Sequence, residues 1–239
     1  MGFCAILWEE WINWRKRFLL YLGMYMLSPL LFLITFGWGS GRVEYLHFLL
    51  PGIMAFSALL NCYNGVSNRI LASKRIANTF EYYLQAPISN FALTMGYSLS
   101  GALRGFFAVC LILVVGVFLK VKLTLSVSFF LILFLICFTF SCLGVAVGAW
   151  AKDAEDAHLV ADLYILPMSF LGGTFVAVDK LPGILHYFTW LLPLTPGSFL
   201  LRSLALGGEL EWLFLLLLLG WLALFFALAQ WVLEKARQE

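Results

Sequence analysis

Six long apolar stretches dominate this chain of 239 residues. An α-helix needs about 20 apolar residues to cross the hydrocarbon core of a bilayer. Each stretch is therefore predicted to form a transmembrane helix. The predicted spans are Phe18–Trp38, His47–Ser67, Phe91–Val117, Leu125–Trp150, Leu159–Val176 and Trp212–Leu233. The pattern predicts an all-α integral membrane protein with six transmembrane helices.

Composition supports this fold class and excludes a soluble domain. Hydrophobic residues make up 63% of the chain, charged residues make up 12%, and the mean hydropathy is +0.95. That is more apolar surface than a soluble domain of this size can bury. We expect residues 1–239 to form a single transmembrane domain. The net charge of +2 implies no affinity for nucleic acid.

Residues 1–17 are predicted to form an amphipathic helix on the membrane surface before the first span. Its apolar stripe, which runs into the span, consists of Leu7, Trp11, Trp14 and Phe18. The alternative is an ordinary basic anchor beside the span. The basic cluster 15–17 follows the apolar residues, and no small-residue cleavage site is present, so a removable signal peptide is not expected.

The segment Arg69–Pro87 is too polar to cross a bilayer. At helical spacing its polar stripe consists of Lys74, Asn78, Glu81 and Gln85. Its apolar stripe consists of Ile76, Phe80, Tyr83 and Leu84. This pattern predicts a short amphipathic helix over residues 69–87, lying on the membrane surface between spans two and three. We interpret it as the element through which a soluble partner moves the spans.

The distribution of Lys and Arg predicts the orientation. The nine basic residues expected in the cytoplasm are Arg15, Lys16, Arg17, Arg69, Lys74, Arg75, Lys152, Lys235 and Arg237. The five expected outside are Arg42, Lys120, Lys122, Lys180 and Arg202, and Arg104 lies within a span. Since cytoplasmic loops carry an excess of Lys and Arg, both termini are predicted to be cytoplasmic.

The sequence between the fifth and sixth spans is rich in proline and glycine. The interrupting residues are Pro167, Gly172, Gly173, Asp179, Lys180, Pro182, Gly183, Pro193, Pro196 and Gly197. The apolar pieces between them are too short to cross, and non-helical backbone at membrane depth needs protein or water around it. Residues 177–202 are therefore predicted to form an external re-entrant region, with half-helices over Gly183–Leu194. The alternative is an external loop with a surface helix.

Catalytic signatures are not found. The chain has no phosphate-binding loop and no GxGxxG, HExxH or GxSxG motif. His47, His158 and His186 fall in different loops or span ends, and the five cysteines form no CxxC pair. We expect no catalytic, cofactor or metal site on this chain.

Polar residues within or beside the spans leave two interpretations open. Arg104 fits either contact with an anionic substrate or a structural bond to Glu44 or backbone carbonyls. Asn61 and Asn64 fit either substrate contact or bonding between helices. The acidic residues Asp153, Glu155, Asp156 and Asp162 fit a solvated face, the start of a helix, or a second contact with a cytoplasmic partner.

These features together resemble the membrane permease subunit of type-two ATP-binding-cassette (ABC) exporters, especially the lipo-oligosaccharide and drug export branch. The resemblance rests on the interfacial helix, the six spans, and the segments Ser73–Ser89 and Leu166–Arg202. The first segment keeps Thr79, Glu81, Leu84 and Pro87, but has Asn78 where glycine is common and Lys74-Arg75 where acidic residues are common. The second carries Gly172-Gly173, Phe175 and Asp179-Lys180-Leu181-Pro182.

The resemblance implies a division of labour. Two permease copies would pair with two soluble ATPase chains, which bind ATP and Mg, so this chain would not itself be an enzyme. The implied ATPase-coupling residues are Lys74, Arg75, Asn78, Thr79, Glu81 and Gln85. The implied substrate pathway contains Asn61, Asn64 and Arg104. The implied external gate contains Gly172, Gly173, Asp179, Pro182, Pro193 and Pro196.

The expected cargo is lipid-like or amphipathic, such as a lipid-linked glycan, a lipo-oligosaccharide or a hydrophobic drug, and the expected location is the bacterial inner (plasma) membrane. One competing hypothesis is a channel or ion-coupled carrier that works alone, but it favours paired carboxylates within the spans, and these spans lack them. Another is a membrane-embedded acyl or glycosyl transferase. That class needs a His or Asp cluster at one membrane face, and no such cluster is predicted.

Overall fold

The structure is a computed structural model. It describes Trp8, Ile12, Arg15, Gly23, Leu27 and residues 29–38, 43–75, 79–119, 121, 123–180 and 182–238. Within these residues the secondary structure is helical, without a β-strand. Most of the predicted interfacial helix, much of the first span, and Asn78 lie outside the described residues.

The helices of the described chain are numbered α1 to α9 in order. They are α1 Val43–Arg75, α2 Thr79–Gln85, α3 Asn90–Phe118, α4 Val127–Trp150, α5 Ala154–Val160, α6 Leu166–Leu171, α7 Ile184–Trp190, α8 Leu194–Ala205 and α9 Trp212–Gln238. The π-helical segments Leu33–Trp38 and Ala161–Ile165 and the 3₁₀ turn Val178–Lys180 complete the secondary structure.

Four of the described helices, α1, α3, α4 and α9, are long and apolar enough to cross a membrane. They correspond to the predicted spans two, three, four and six. The prediction of an all-helical, multi-pass membrane protein is confirmed. Six spans remain a prediction, because the first lies largely outside the described residues and the fifth is broken.

The predicted fifth span is divided into three pieces. Helix α5 continues into the π-helical segment Ala161–Ile165, and α6 then ends at Leu171, before the predicted end at Val176. Pro167 lies in the first turn of α6. Since proline has no amide hydrogen and crowds the preceding turn, it interrupts the regular hydrogen-bond ladder at the π-helical segment.

Helix α4 forms the centre of the bundle. In its apolar stretch 72% of the residues are buried, against 17% in that of α9, so most of α9 lies on the outside of the described bundle. Gly148 of α4 lets α1 approach closely, because a Cβ atom there would lie 3.0 Å from the Cα of Ser67. Small residues at helix contacts are typical of membrane bundles, where close packing drives association.

The predicted surface helix over 69–87 is wrong in its boundaries. Residues 69–75 belong to α1, which continues beyond the predicted end of the second span at Ser67, and only Thr79–Gln85 form the separate helix α2. The stretch 68–75 contains no glycine or proline, and Ile70 and Leu71 are buried there. Nothing in that sequence ends the helix at the membrane surface.

Candidate functional site

Two ends of the bundle carry the polar and irregular features. We call them the Lys74 end, where α1 and α4 finish, and the Arg202 end, where α1 begins and α8 lies. The 33 residues of α1 span about 50 Å at 1.5 Å per residue, while the hydrocarbon core is about 30 Å thick. A single helix therefore reaches from one end of the molecule to the other.

Helix α2 at the Lys74 end is amphipathic. Phe80 is buried, whereas Glu81, Tyr82 and Gln85 are exposed, with Tyr82 69% exposed. The ammonium of Lys74 lies 5.1 Å from the centre of the Phe80 ring, a cation–π contact that attaches α2 to α1. The exposed face of α2 is thus open to a partner outside the bundle.

Lys74 holds two helices together. Its Nζ atom donates to the carbonyl of Ala149 at 2.6 Å and to that of Ala151 at 3.0 Å. The last carbonyls of a helix have no partner within it, and a cation near them is favoured by the helix dipole. The structure therefore gives Lys74 an internal role, and its predicted contact with an ATPase stays a prediction.

The acidic residues after α4 act mainly on local backbone. The carboxylate of Asp153 accepts from the amide of Asp156 at 3.0 Å, and so caps α5. The carboxylate of Asp156 accepts from the amide of Lys152 at 2.9 Å. Arg75 lies 3.8 Å from Asp153 in an exposed ion pair. The interpretation of these acids as a helix start is confirmed for Asp153.

A cleft of about 470 Å³ opens beside this loop. Its lining comes from the end of α4, the loop after it, the first turn of α5 and the end of α9: Ala149, Trp150, Lys152, Asp156, Val232, Lys235 and Ala236. Arg237 near the end of α9 donates to the carbonyl of Ile88, just before α3. Thus α1, α2, α4 and α9 all contribute to one surface at the Lys74 end.

The predicted pathway residues lie midway along the helices and are half-buried. Asn61 Nδ2 donates to Ser57 Oγ, one turn earlier in α1, at 2.9 Å. Arg104 Nε donates to the carbonyl of Ser100 in its own helix α3 at 3.3 Å. A Cβ on Gly105 would lie 2.1 Å from Cys62 Sγ, so Arg104 and Asn61 occupy the same level of the bundle. Their contact with cargo, like that of Asn64, stays a prediction.

The Arg202 end contains buried backbone that is not helical. The segment directly after α6 is buried and has no regular backbone hydrogen-bond ladder. It consists of Gly172, Gly173, Thr174 and Phe175. Gly173 adopts a φ of 74°, which disfavours a side chain. Non-helical backbone at membrane depth requires protein around it, and this segment meets that condition.

Side chains from α1 and α8 satisfy the carbonyls of this segment. Ser198 Oγ donates to Gly172 at 2.6 Å, and Tyr45 Oη donates to Phe175 at 2.9 Å. Thr174 Oγ1 donates back to Ser169 in α6. Since a buried carbonyl without a partner is costly, these bonds fix the path of the segment.

Arg202 makes the largest contribution to this network. Its Nη2 atom donates to Gly173 at 2.7 Å and to Thr174 at 3.4 Å, and its Nε donates to Phe48 at 3.3 Å. The guanidinium carbon lies 3.7 Å from the centre of the Phe48 ring. Burial lowers the pKa of Arg202 to about 10, so the side chain remains charged at neutral pH.

The predicted gate residues divide into two groups. Gly172, Gly173, Pro193 and Pro196 are buried, with Pro193 immediately before α8 and Pro196 in its first turn. Asp179 and Pro182 are exposed. The short helices α7 and α8 occupy much of the predicted re-entrant region, residues 177–202. Whether it opens as a gate stays a prediction.

Comparison with known proteins identifies the family. The profile of the ABC-2 type transporter family matches residues 1–206. The chain belongs to this family. It is similar to the inner membrane transport permease YadH of Escherichia coli (strain K12), with 30% identity over 140 residues, which cover 58% of this chain and 54% of that protein. The chain thus spans about half the length of YadH.

A second ABC-2-like relative matches over a longer range. Nodulation protein J of Rhizobium meliloti (strain 1021) is 27% identical over 214 residues, which cover 86% of this chain and 82% of that protein. Nodulation protein J of Rhizobium leguminosarum bv. trifolii is 26% identical over 215 residues. The resemblance to type-two ABC permeases is therefore confirmed.

Sequence reasoning missed the importance of Arg202 in this ABC-2 chain. It counted Arg202 only as an external basic residue, whereas the side chain lies between α8, α1 and the buried segment. A signal was available, since Arg202 is the one charged residue within the apolar helix Leu194–Ala205. A charge in such a context usually marks a buried partner.

Proposed function

We propose that this chain is the transmembrane subunit of an ATP-driven exporter in the bacterial inner membrane. Family membership supports the role of an ABC transporter subunit. The observation that carries the proposal is the open polar face of α2, where Glu81, Tyr82 and Gln85 are exposed while Phe80 is buried. Helix α2 would act as the coupling helix for a soluble ATPase.

The position of α2 supports a role in transmission. Lys74 connects α2 and α1 to the end of α4, and α4 packs at the centre of the bundle. A displacement of α2 would therefore pass directly to the most buried helix. Packed helices change between discrete arrangements rather than bending continuously, which suits a two-state transport cycle.

The charges support the cytoplasmic placement of the Lys74 end. Lys74, Arg75, Lys152, Lys235 and Arg237 gather there. Positively charged ends favour the cytoplasmic side. In this orientation the Arg202 end faces outwards.

A second copy of the chain would complete the transport path. Asp162 is exposed beside the exposed leucines Leu159, Leu163 and Leu166. A carboxylate within a span is unfavourable where it faces lipid and usually faces protein or water instead. We assign this face to the space between two copies, which would associate with two ATPase chains. The few polar groups in the spans favour a lipid-like or amphipathic cargo.

The test is charge reversal on α2. Full-length protein would be co-purified with its ATPase subunit, reconstituted in proteoliposomes, and assayed for ATPase association, for hydrolysis and for transport of a fluorescent lipid. Glu81→Lys should weaken association at least tenfold or uncouple hydrolysis from transport. Glu211→Lys is the matched control, because Glu211 is also exposed but lies at the Arg202 end. Equal behaviour of the two variants would contradict the proposal, and transport without any ATPase would favour a carrier that works alone.

A further inference from the structure

A second cleft, of about 290 Å³, lies at the Arg202 end. Its walls come from the start of α1, the turn before α7, and helices α7 and α8. Polar and aromatic side chains line it together, among them Phe48, Asp179, Trp190, Ser198, Phe199 and Arg202. The cleft is separate from the Lys74 end and from the predicted pathway residues.

Arg202 has donors left for a ligand. Its Nε and Nη2 atoms bind three backbone carbonyls, but Nη1 has no hydrogen-bond partner within the described part of the chain. Nη1 is not among the fully buried unpaired atoms of that part either. The side chain lines the cleft. Its remaining N–H groups are therefore accessible from there.

Among the described residues no carboxylate pairs with Arg202. None lies within 4.0 Å of its guanidinium, including that of Asp179 in the same cleft. Carbonyl oxygens satisfy hydrogen bonds but leave the net positive charge in place. A guanidinium in such a site favours an oxyanion such as phosphate, because charge-assisted bonds are the strong ones.

The accessible polar acceptor of the cleft is Asp179, whose carboxylate is exposed. The hydroxyls of Ser198 and Thr195 donate to Gly172 and Thr189, and both residues are buried, so neither hydroxyl is open to a ligand. The carboxylate of Asp179 suits a hydroxyl group of a ligand. It would disfavour an anion that has no hydroxyls.

An aromatic wall closes one side of the cleft. The ring of Trp190 stacks on Phe214 of α9, with centres 5.2 Å apart and planes at 23°. Phe199 packs against the same Phe214 at 4.3 Å. Rings fixed in this way offer a rigid apolar surface at low entropic cost to a ligand.

We propose that this cleft binds a hydroxyl-bearing phosphate headgroup, with the phosphate on Nη1 of Arg202 and a hydroxyl on Asp179. The headgroup can belong to a lipid or to a free glycerol or sugar phosphate, since the chemistry is the same. The inference goes beyond the proposed function. It requires neither an ATPase nor transport, so its failure would leave the coupling role of α2 unaffected.

The test measures binding to the purified full-length chain in detergent micelles without any ATPase. The probes are dihexanoyl phosphatidylglycerol, dihexanoyl phosphatidylcholine and glycerol phosphate, with native mass spectrometry as the readout. Phosphatidylglycerol should bind at least tenfold more tightly than phosphatidylcholine, which has a cationic headgroup and no hydroxyl. Tight binding of glycerol phosphate would identify the free compound as sufficient, and binding of the lipid alone would identify a lipid site.

A pair of variants tests the charge of the site without disturbing Arg202. Leu206 lines the cleft and is exposed, so Leu206→Asp places a negative charge at the rim. We expect it to weaken phosphatidylglycerol binding about tenfold, or about 1.4 kcal/mol. The neutral control Leu206→Asn should change binding less than about threefold. Three outcomes would overturn the proposal. They are equal effects of the two Leu206 variants, equal binding of phosphatidylglycerol and phosphatidylcholine, and no binding of either phosphatidylglycerol or glycerol phosphate.

Discussion

Lys74 and Arg202 are both half-buried cations that donate to backbone carbonyls, but they bind different kinds of backbone. Lys74 binds carbonyls at the end of a regular helix, where unpaired carbonyls are normal. Arg202 binds a buried segment that has no regular backbone hydrogen-bond ladder. The comparison shows that the same chemistry stabilises the end of a regular helix in one place and irregular backbone in the other.

The surroundings of the two residues reinforce this difference. At the Lys74 end the neighbours Arg75, Glu81 and Lys152 are exposed. At the Arg202 end the neighbours Gly173, Thr174 and Ser198 are buried. Polar groups that water can reach are inexpensive to separate, whereas buried ones are not. We therefore expect the Lys74 end to rearrange more readily during a transport cycle.

Loss of Arg202 should have the largest effect. Arg202→Met would remove the bonds to the carbonyls of Gly173 and Thr174 in the buried segment and to that of Phe48 in α1. We expect a loss of about 3 to 5 kcal/mol in the free energy of unfolding. Denaturation in detergent micelles measures it. Arg75→Met is the control, because Arg75 has only an exposed ion pair, and a loss below about 1 kcal/mol is expected there. Similar losses in both variants would remove the distinction between the ends.

Close packing at the Arg202 end gives the next largest effect. A Cβ atom on Gly52 would lie 2.0 Å from the carbonyl oxygen of Thr174, so Gly52→Ala must push the buried segment away. The expected loss is about 1 to 3 kcal/mol. Gly65→Ala in the same helix is the matched control, since no atom of another described segment lies within 4 Å of its Cβ position. That variant should keep or slightly raise stability, because alanine favours helix over glycine. An unchanged free energy of unfolding in Gly52→Ala would mean that the buried segment after α6 moves aside at little cost.

The long spans were predictable because local sequence decides them. The predicted third and fourth spans, Phe91–Val117 and Leu125–Trp150, differ by one or two residues from α3 and α4. Both helices begin directly after a serine whose hydroxyl accepts an amide, Ser89 from Ala92 and Ser126 from Phe129, each at 3.2 Å. Apolar runs set the extent of these helices, and local caps set their starts.

The two cation sites were not predictable in the same way. The partners of Lys74 lie 75 and 77 residues away in sequence, and one partner of Arg202 lies 154 residues away. Hydrogen bonds to backbone carbonyls leave no signature in the partner's side chains. The predicted stripe placed Lys74 with Glu81 on one open face, but the long stem of lysine allows its ammonium to reach back to α4.

Loss of Lys74 should have a smaller effect than the changes at the Arg202 end. Lys74→Met keeps the apolar stem and removes the bonds to Ala149 and Ala151. Since unpaired carbonyls are normal at a helix end and exposed side chains surround this one, we expect a loss of about 1 to 2 kcal/mol. Lys152→Met controls for the removal of one exposed charge beside the same helix end. A loss as large as that of Arg202→Met would show that the Lys74 end is equally rigid.

The smallest effect is expected midway between the two ends, at Asn61. Its amide donates to Ser57 in the same helix at 2.9 Å, so the loss of this bond in Asn61→Ala breaks no contact between helices. Hydrogen bonds of side chains within membranes average about 0.6 kcal/mol, and the loss in unfolding free energy should not exceed about that value. Transport by the reconstituted complex is the second readout. A stable variant with impaired transport would place Asn61 on the cargo pathway, whereas a loss above about 2 kcal/mol would make it a structural residue like Arg202.

Because Asn61 lies at the level of Arg104, Arg104→Leu in the same assay separates a requirement for polar side chains at this level from a requirement for positive charge.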